Sequence, residues 1–268
     1  MTTHLSRRTV IGLAAPLATA GVFLPTLSAR AAKNQYFIGF TDSRGTSSQY
    51  HFYPGGGART GLVVYLDGDD QELFDVDYGS DDYDYPGGLA GPNSIVASAV
   101  ARGYDVAAVH SPGDDRWWVG DAEAKGIYLR ELFQHLAGAH GANTSRLWAV
   151  GYSGGSEFIT ESFFPRFAND MQSGGFIVFG GGDAPGRGVG SFSDHAKETL
   201  SLNWLTGTKD IPDDTSDFDG YGHAKASFKY YQEQGFKNTY ATWPRGEDHE
   251  SIITKYFGPY VARVLSRG

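Results

Sequence analysis

Three continuous apolar runs constrain the fold of this chain more than any other feature. They lie in the segments 62–66, 105–109 and 146–150, of which the last two begin with one charged residue, and their apolar residues are mostly Val, Leu and Ala. Runs of this kind are typical of central strands that are buried on both faces of a parallel sheet. Stretches with helical spacing lie between them, and this alternation indicates βαβ units. The sequence therefore predicts one α/β domain with a doubly wound, mostly parallel sheet flanked by helices.

Shorter runs extend the predicted sheet and its helical layers. Two β-rich runs, 36–40 and 50–53, are separated by a polar turn and are predicted to form a hairpin or a pair of edge strands. Further strands are predicted over 177–179, 200–205 and 239–243. Predicted helices cover 92–102, 121–136, 157–164, 221–234 and 251–265, and the third is expected to stop at Pro165.

The first 31 residues are predicted to be an export signal and not part of the fold. The pair Arg7-Arg8 precedes an apolar stretch rich in small residues, and alanines occupy the −3 and −1 positions of a cleavage site after residue 31. These features are typical of a Tat-type signal. A membrane anchor is disfavoured because two prolines interrupt the apolar stretch. We therefore expect a secreted or cell-envelope protein whose domain covers 32–268.

The charge of the chain argues against nucleic-acid partners. The sequence has 22 Lys and Arg against 31 Asp and Glu, a net charge of −9. Signal removal takes away three arginines and no acid, which leaves 19 basic against 31 acidic side chains and a net charge of −12. Nucleic acids and anionic membrane surfaces bind Lys/Arg patches. We expect neither partner and no membrane span after cleavage; the sequence leaves the oligomeric state open.

The chain contains no cysteine, so no disulfide bond is available to it. Export of an already folded protein by the twin-arginine route is consistent with this composition.

A Gly-x-Ser-x-Gly pentapeptide, residues 151–155, directly follows the apolar run 146–150 and precedes a helical stretch. This sequence between a strand and a helix is typical of a nucleophile elbow. The two outer glycines leave room for a strained serine backbone and for close packing of strand against helix. The pattern predicts that Ser153 is a nucleophile at the carboxyl edge of the sheet.

A nucleophilic serine needs a histidine to take its proton and a carboxylate to orient that histidine. Asp210 follows the predicted strand 200–205, and His249 follows the predicted strand 239–243. Both residues are therefore expected at the same sheet edge as Ser153. The order Ser, Asp, His is the order in which such elbows and their partners occur along a chain. Asp213, Asp214 and Asp217 follow Asp210 in the same loop, which we call the acid loop. Asp213 and Asp214 stay open as alternatives to Asp210 for the role of the acid.

Other histidines are assigned to different roles. His110 ends the run 105–109 and is predicted to line the site in a substrate-contacting or structural role. His223 begins a helix ahead of the last strand and is predicted to lie away from the site. His135 and His140 lie on or beside a helix, where solvated roles are expected.

The developing negative charge of an acyl-transfer reaction requires two backbone N–H donors. One is expected from Gly154, directly after the nucleophile, and the other from the loop after the run 62–66. Gly68 or Asp69 would supply the second donor.

The strands, elbow, acid loop and histidine loop resemble the α/β-hydrolase family over residues 36–266, and in particular its exported, esterase-like branch. The resemblance implies the α/β-hydrolase fold and a Ser-His-Asp mechanism through an acyl-enzyme, without a metal or organic cofactor. Many relatives carry His-Gly in the oxyanion loop, whereas this chain has Asp67-Gly68, similar to esterases with Leu-Asp-Gly. Disulfide-bonded cutinases are a poor match, because the chain lacks cysteine.

Two further features border the predicted site. Residues 67–84 contain nine Asp and Glu side chains interleaved with tyrosines; a surface insertion at the pocket is preferred over a lid or a calcium loop, because the spacing does not match an EF-hand. Trp117 and Trp118 follow the run 105–109 and are predicted either to form an aromatic substrate wall or, for one of them, to join the core.

The leading hypothesis from the sequence is a secreted carboxylic ester hydrolase with a small-molecule or polymeric ester as substrate. The same machinery supports an acyltransferase or a peptidase, and the fold does not choose among them. From a different class, an inactive, hydrolase-like secreted binding protein is the alternative.

Overall fold

An eight-stranded sheet is the centre of the computed structural model, which describes residues 33–57, 59–74, 91, 93–113, 116–186, 191–214 and 216–267. The described residues belong to the compact unit Ala31–Gly268. The predicted export signal and residues 75–84 of the acidic segment lie outside the described residues.

The strands run in the order β1-β2-β4-β3-β5-β6-β7-β8 across the sheet. Pairing is antiparallel between β1 and β2 and between β2 and β4, and it is parallel for every other pair. The predicted doubly wound, mostly parallel sheet is therefore confirmed. The strands are β1 (Gln35–Thr41), β2 (Ser47–Tyr53), β3 (Gly61–Leu66), β4 (Tyr104–Val109), β5 (Arg146–Tyr152), β6 (Ser173–Phe179), β7 (Ser201–Leu205) and β8 (Asn238–Thr242).

Helices cover both faces of the sheet because successive side chains of each buried strand point to opposite faces. On one face, Val64 and Phe176 join a core cluster with α2, α6 and the segment after the elbow. On the other, Val63 and Ile177 pack with α1 and α7. The helices are α1 (Ile95–Val100), α2 (Ala122–His140), α3 (Gly154–Glu157), α4 (Phe164–Phe167), α5 (Asp194–Thr199), α6 (Gly220–Glu233) and α7 (Ser251–Leu265).

The helix boundaries differ from the predictions where capping decides them. The first helix begins at Ile95 and not at 92, because Ser94 caps it by accepting a hydrogen bond from the N–H of Ala97. Helix α5 was not predicted, since its six residues bury only Ala196 and show no apolar period. No helix among the described residues is long and apolar enough to cross a bilayer.

The prediction that the helix after the elbow stops at Pro165 is wrong. A π-helical turn, Phe158–Phe163, follows α3 and leads directly into α4, which contains Pro165. In the π register, the carbonyl of Thr160 would pair with the N–H that proline lacks. The hydroxyl of Tyr231 donates to that carbonyl at 2.6 Å. The helix passes through the proline because α6 supplies the missing donor.

Strand β6 begins four residues before its predicted start at 177. Its first half contains Gly174 and Gly175, which have φ values of +99° and +143°. A Cβ on Gly175 would overlap the carbonyl oxygen of Ser201 on β7. Glycine has a low β propensity, so the sequence pattern did not predict that the strand begins before these two glycines.

Gly175→Ala is expected to destabilise the protein by more than about 3 kcal/mol, because the Cβ forces β6 away from β7 at a positive φ. Gly56→Ala is the matched control, since a Cβ there meets nothing within 4 Å. Urea unfolding monitored by circular dichroism measures both variants. Equal stabilities for the two would contradict the close contact between the strands.

Candidate active site

Ser153 lies at the sharp turn between β5 and α3. Its backbone has φ 50° and ψ −122°, in the left-handed half of conformational space that non-glycine residues rarely occupy. Its N–H donates to the carbonyl of Phe179 at 3.0 Å, which fixes the turn to the end of β6. Backbone strain of this kind persists where the surroundings hold it. The predicted elbow geometry is present.

The two outer glycines of the elbow are required by close packing. A Cβ on Gly151 would lie 2.7 Å from Cδ1 of Ile159 and 2.8 Å from the carbonyl oxygen of Gly155. A Cβ on Gly155 would overlap the carbonyl oxygen of Leu66 and come within 2.6 Å of that of Asp67. The absence of a side chain on Gly151 lets the end of β5 pack against the segment after Ser153, and its absence on Gly155 lets the elbow pack against the loop that follows β3.

The structure brings His249 and Asp210 together at the same sheet edge. Nδ1 of His249 lies 2.9 Å from Oδ2 of Asp210, whose side chain is buried. When the Nδ1–H group donates to this carboxylate, Nε2 remains as the basic nitrogen of the ring. The ring also packs at 4.9 Å from the ring of Tyr152. The contact with Tyr152 and this hydrogen bond fix the orientation of His249.

The two loops that carry the acid and the histidine are held together by backbone hydrogen bonds. The N–H of Thr208 donates to Pro244 at 3.0 Å, and that of Lys209 donates to Glu247 at 2.8 Å. A Cβ on Gly207 would overlap the Glu247 carbonyl oxygen. The His249–Asp210 pair is therefore built on a rigid connection between neighbouring strands.

A cavity of about 550 Å³ opens over Ser153 and His249. A second cavity of about 200 Å³ adjoins the same two residues on the side of the loop after β3. The larger cavity is lined by Asp69, Ser153, Gly154, Glu157, Lys209, Asp210, Ile211, Asp213, Ser216, Phe218, Asp248, His249 and Glu250. Space for a substrate therefore lies directly beside the predicted nucleophile.

The loop after β3 is organised by the buried carboxylate of Asp67. Its Oδ1 accepts hydrogen bonds from the Tyr65 hydroxyl at 2.8 Å and the Gly68 N–H at 2.9 Å. Its Oδ2 accepts from the N–H groups of Leu73 and Phe74 at 2.7 and 3.0 Å. Burial raises the pKa of Asp67 to about 6, although these hydrogen bonds favour the ionised form.

The same hydrogen bonds distinguish between Gly68 and Asp69, the two predicted oxyanion donors of this loop. The Gly68 N–H is directed at Asp67, so Asp69 is the better candidate for the second oxyanion donor. Gly68 instead provides close approach, because a Cβ there would lie 3.2 Å from Cβ of Ser153. Asp69 and Gly154 both line the cavity next to Ser153.

Three residues predicted to contact substrate lie elsewhere. Trp118 is fully buried and packs on Phe158, so it belongs to the core and forms no substrate wall. Trp117 is half exposed and does not line either cavity beside Ser153. His110 lines a separate cavity of about 450 Å³ next to β2.

The other histidines divide differently from the prediction. His135 and His140 both contact the hydroxyl of Tyr50, at 3.1 and 2.9 Å. His223 was expected away from the site, but its Nδ1 lies 2.8 Å from Oε1 of Glu157, a residue of the cavity wall. That expectation is wrong because the start of α6 is held at the acid: the N–H of Tyr221 donates to the carbonyl of Asp210 at 2.7 Å.

Sequence reasoning missed seven of the residues that line the cavity, among them Glu157 and Phe218. Glu157 lies one helical turn after Ser153, and that spacing was the available signal. Phe218 packs edge-on against both His223 and His249, each at 5.4 Å; nothing in its sequence context marks it. Among the described residues, no three His, Cys, Asp or Glu side chains converge to hold a metal ion.

Comparison with solved structures shows the α/β-hydrolase fold. The poly(aspartic acid) hydrolase-1 of Sphingomonas sp. KT-1 matches with a TM-score of 0.57 and 16% identity, over 84% of this chain and 97% of that one. A Bacillus cereus carboxylesterase matches with a TM-score of 0.55 and 15% identity, over 82% of this chain and 92% of that one. An S-formylglutathione hydrolase of Agrobacterium tumefaciens matches with a TM-score of 0.55 and 14% identity, over 86% of this chain and 94% of that one. No protein family model and no curated protein matches the chain.

Asp67→Asn is expected to change how stability depends on pH. The folded pKa of about 6 exceeds the ordinary value of 3.8, so the folded state holds this proton more tightly. Wild type should therefore lose stability relative to Asp67→Asn as the pH rises from about 4 to about 6. Urea unfolding of both proteins across this range measures the difference. The surface variant Asp170→Asn controls for the loss of one charge. A stability difference between wild type and Asp67→Asn that does not change with pH would contradict the raised pKa of Asp67.

Proposed function

We propose that this protein is an exported serine hydrolase that cleaves carboxylic esters through an acyl-enzyme. The observation that carries the proposal is the arrangement of Ser153, His249 and Asp210. A serine with φ 50° lines one cavity with His249, whose Nδ1 lies 2.9 Å from a buried carboxylate. This is the set of groups that activates a serine for acyl transfer.

Each residue has a defined role in the proposed reaction. Ser153 Oγ attacks the acyl carbon while Nε2 of His249 takes its proton, and the protonated ring then gives that proton to the leaving alcohol. Asp210 holds the ring and stabilises its positive charge. Water, deprotonated by His249, releases the acyl group from Ser153. The N–H groups of Gly154 and Asp69 stabilise the negative oxygen in both steps.

The proposal of an ester substrate rests on the charge of the cavity and on the names of the structural neighbours. The three structural neighbours are named for poly(aspartic acid), carboxylic esters and S-formylglutathione, so the fold permits several substrates. A polyanion is disfavoured here, because most charged side chains around Ser153 are carboxylates. The twin-arginine signal predicted for residues 1–31 supports action outside the cytoplasm.

An activity-based fluorophosphonate probe tests the nucleophile. Wild type is expected to be labelled at one site, and Ser153→Ala to lose all labelling because the probe reacts with an activated serine. Ser191→Ala, at an exposed serine, is the matched control and should label like wild type. Mass spectrometry locates the adduct. A folded wild type that stays unlabelled, or labelling of Ser153→Ala, would refute the proposal.

Asp210→Asn tests the acid. The variant is expected to lower kcat on a short-chain p-nitrophenyl ester by about 10³ to 10⁴, because an amide neither fixes the required tautomer nor stabilises the imidazolium. Asp214→Asn changes an exposed aspartate of the same loop and should retain activity. Steady-state kinetics with matched circular dichroism spectra compare them. Full activity in Asp210→Asn would remove Asp210 from the mechanism.

A further inference from the structure

A cavity of about 300 Å³ lies at the edge of the sheet opposite Ser153. Its wall includes the first residues of four neighbouring parallel strands, Arg146 of β5, Ser173 of β6, Ser201 of β7 and Asn238 of β8. Because Ser153 directly follows the last residue of β5, the seven residues of that strand separate the cavity from the nucleophile by about 20 Å. The cavity is therefore separate from the candidate active site.

The charge of this cavity is opposite to the charge of the chain. Two arginines, Arg146 and Arg267, line it, and no carboxylate side chain of the described residues does. The sequence as a whole has 31 acidic against 22 basic side chains. Two guanidinium groups in one wall repel each other, and an anion bound between them removes that repulsion.

The donors of Arg146 are unused. Its side chain is half-buried, yet it forms neither a hydrogen bond nor an ion pair within the part of the chain that the structure describes. Arg59, which is also half-buried, shows the usual arrangement: it donates to the carbonyl of His140 and lies 3.5 Å from Asp105. A guanidinium presents five N–H donors in a planar fork that matches an oxyanion. The unused fork of Arg146 therefore points to an anionic ligand.

Aromatic and apolar side chains complete the wall. The guanidinium of Arg267 lies over the ring of Tyr240, 5.1 Å from its centroid, a contact that holds the group without using its N–H donors. Trp148 and Val264 add apolar surface, and the buried indole N–H of Trp148 has no acceptor among the described residues. A ligand that fits this wall joins an anionic group to an apolar body.

We propose that this cavity binds an organic anion, whose carboxylate or phosphate group pairs with Arg146 and Arg267. The apolar part of the ligand packs on Trp148 and Tyr240. Carboxylates and phosphates share this recognition, because either one accepts two parallel N–H bonds from a guanidinium. The inference goes beyond the proposed ester hydrolysis, since none of these four residues lines a cavity beside Ser153.

Calorimetry with small probes tests the class of ligand. Benzoate and phenylphosphonate carry the two anionic groups on one ring, and the tighter of the two identifies the preferred group. Benzamide, the neutral isostere of benzoate, is expected to bind at least tenfold more weakly than benzoate, because it lacks the charge. Inorganic phosphate should bind more weakly than phenylphosphonate, since it lacks the apolar body. Absence of binding by both aromatic anions, or equal binding of benzoate and benzamide, would overturn the proposal.

Arginine variants test the assigned residues with the tighter anion. Arg146→Gln is expected to weaken its binding by about tenfold, and Arg146→Lys by less, because lysine keeps the charge and loses the fork. Arg267→Gln should weaken it by about threefold, since this side chain is exposed. Arg166→Gln, at an exposed arginine of α4, is the matched control and should bind like wild type. Wild-type affinity in folded Arg146→Gln and Arg267→Gln would refute the site.

The indole N–H resonance of Trp148 locates the bound anion. Its signal in a ¹⁵N–¹H spectrum is assigned by its loss in Trp148→Phe. Phenylphosphonate is expected to shift this signal equally in wild type and in Ser153→Ala, because the cavity does not include the nucleophile. Heat of binding without a shift would place the anion elsewhere and overturn the proposal. Failure of the proposed hydrolase has a different signature, a wild type that binds phenylphosphonate here but is not labelled by the fluorophosphonate probe.

Discussion

The close approach of the elbow to the loop after β3 is the constraint on which the rest of the site depends. Gly155 lies so close to the carbonyl oxygens of Leu66 and Asp67 that a Cβ atom on this residue would overlap them. This contact brings the end of β5 and the end of β3 to one point, with Ser153 in a left-handed conformation between them. Because β3 and β5 are parallel neighbours in the sheet, the contact also sets where an oxyanion donor from the β3 loop meets the nucleophile.

The buried charge of Asp67 follows from the same constraint. The loop must turn sharply away from Gly155, which leaves the N–H groups of Gly68, Leu73 and Phe74 without sheet partners, and one carboxylate accepts from all three. Burial disfavours the ionised carboxylate, and its hydrogen bonds offset part of that effect. Four hydrogen bonds to a single carboxylate therefore hold the irregular backbone of this loop in place.

The sequence predicted those features that depend on local pattern. The last helix was predicted at its observed bounds, Ser251–Leu265, and the buried strands were predicted within a few residues. Errors occurred where distant residues decide the local structure: Tyr231 carries a helix through Pro165, and β6 begins at glycines that fit only against their neighbours. In the site, the order of loops brought Ser153, Asp210 and His249 together, whereas the Glu157–His223 contact depends on a loop path that no periodicity encodes.

The acidic lining has a consequence for the proposed chemistry. Negative charge next to Gly154 opposes the development of an oxyanion there, since the stabilising N–H dipoles act in the same small volume as the carboxylates of Asp69 and Glu157. In the proposed reaction, the N–H dipoles of Gly154 and Asp69 must therefore act on the oxyanion at shorter range than these carboxylates do. That requirement depends on the close contact between the elbow and the loop after β3.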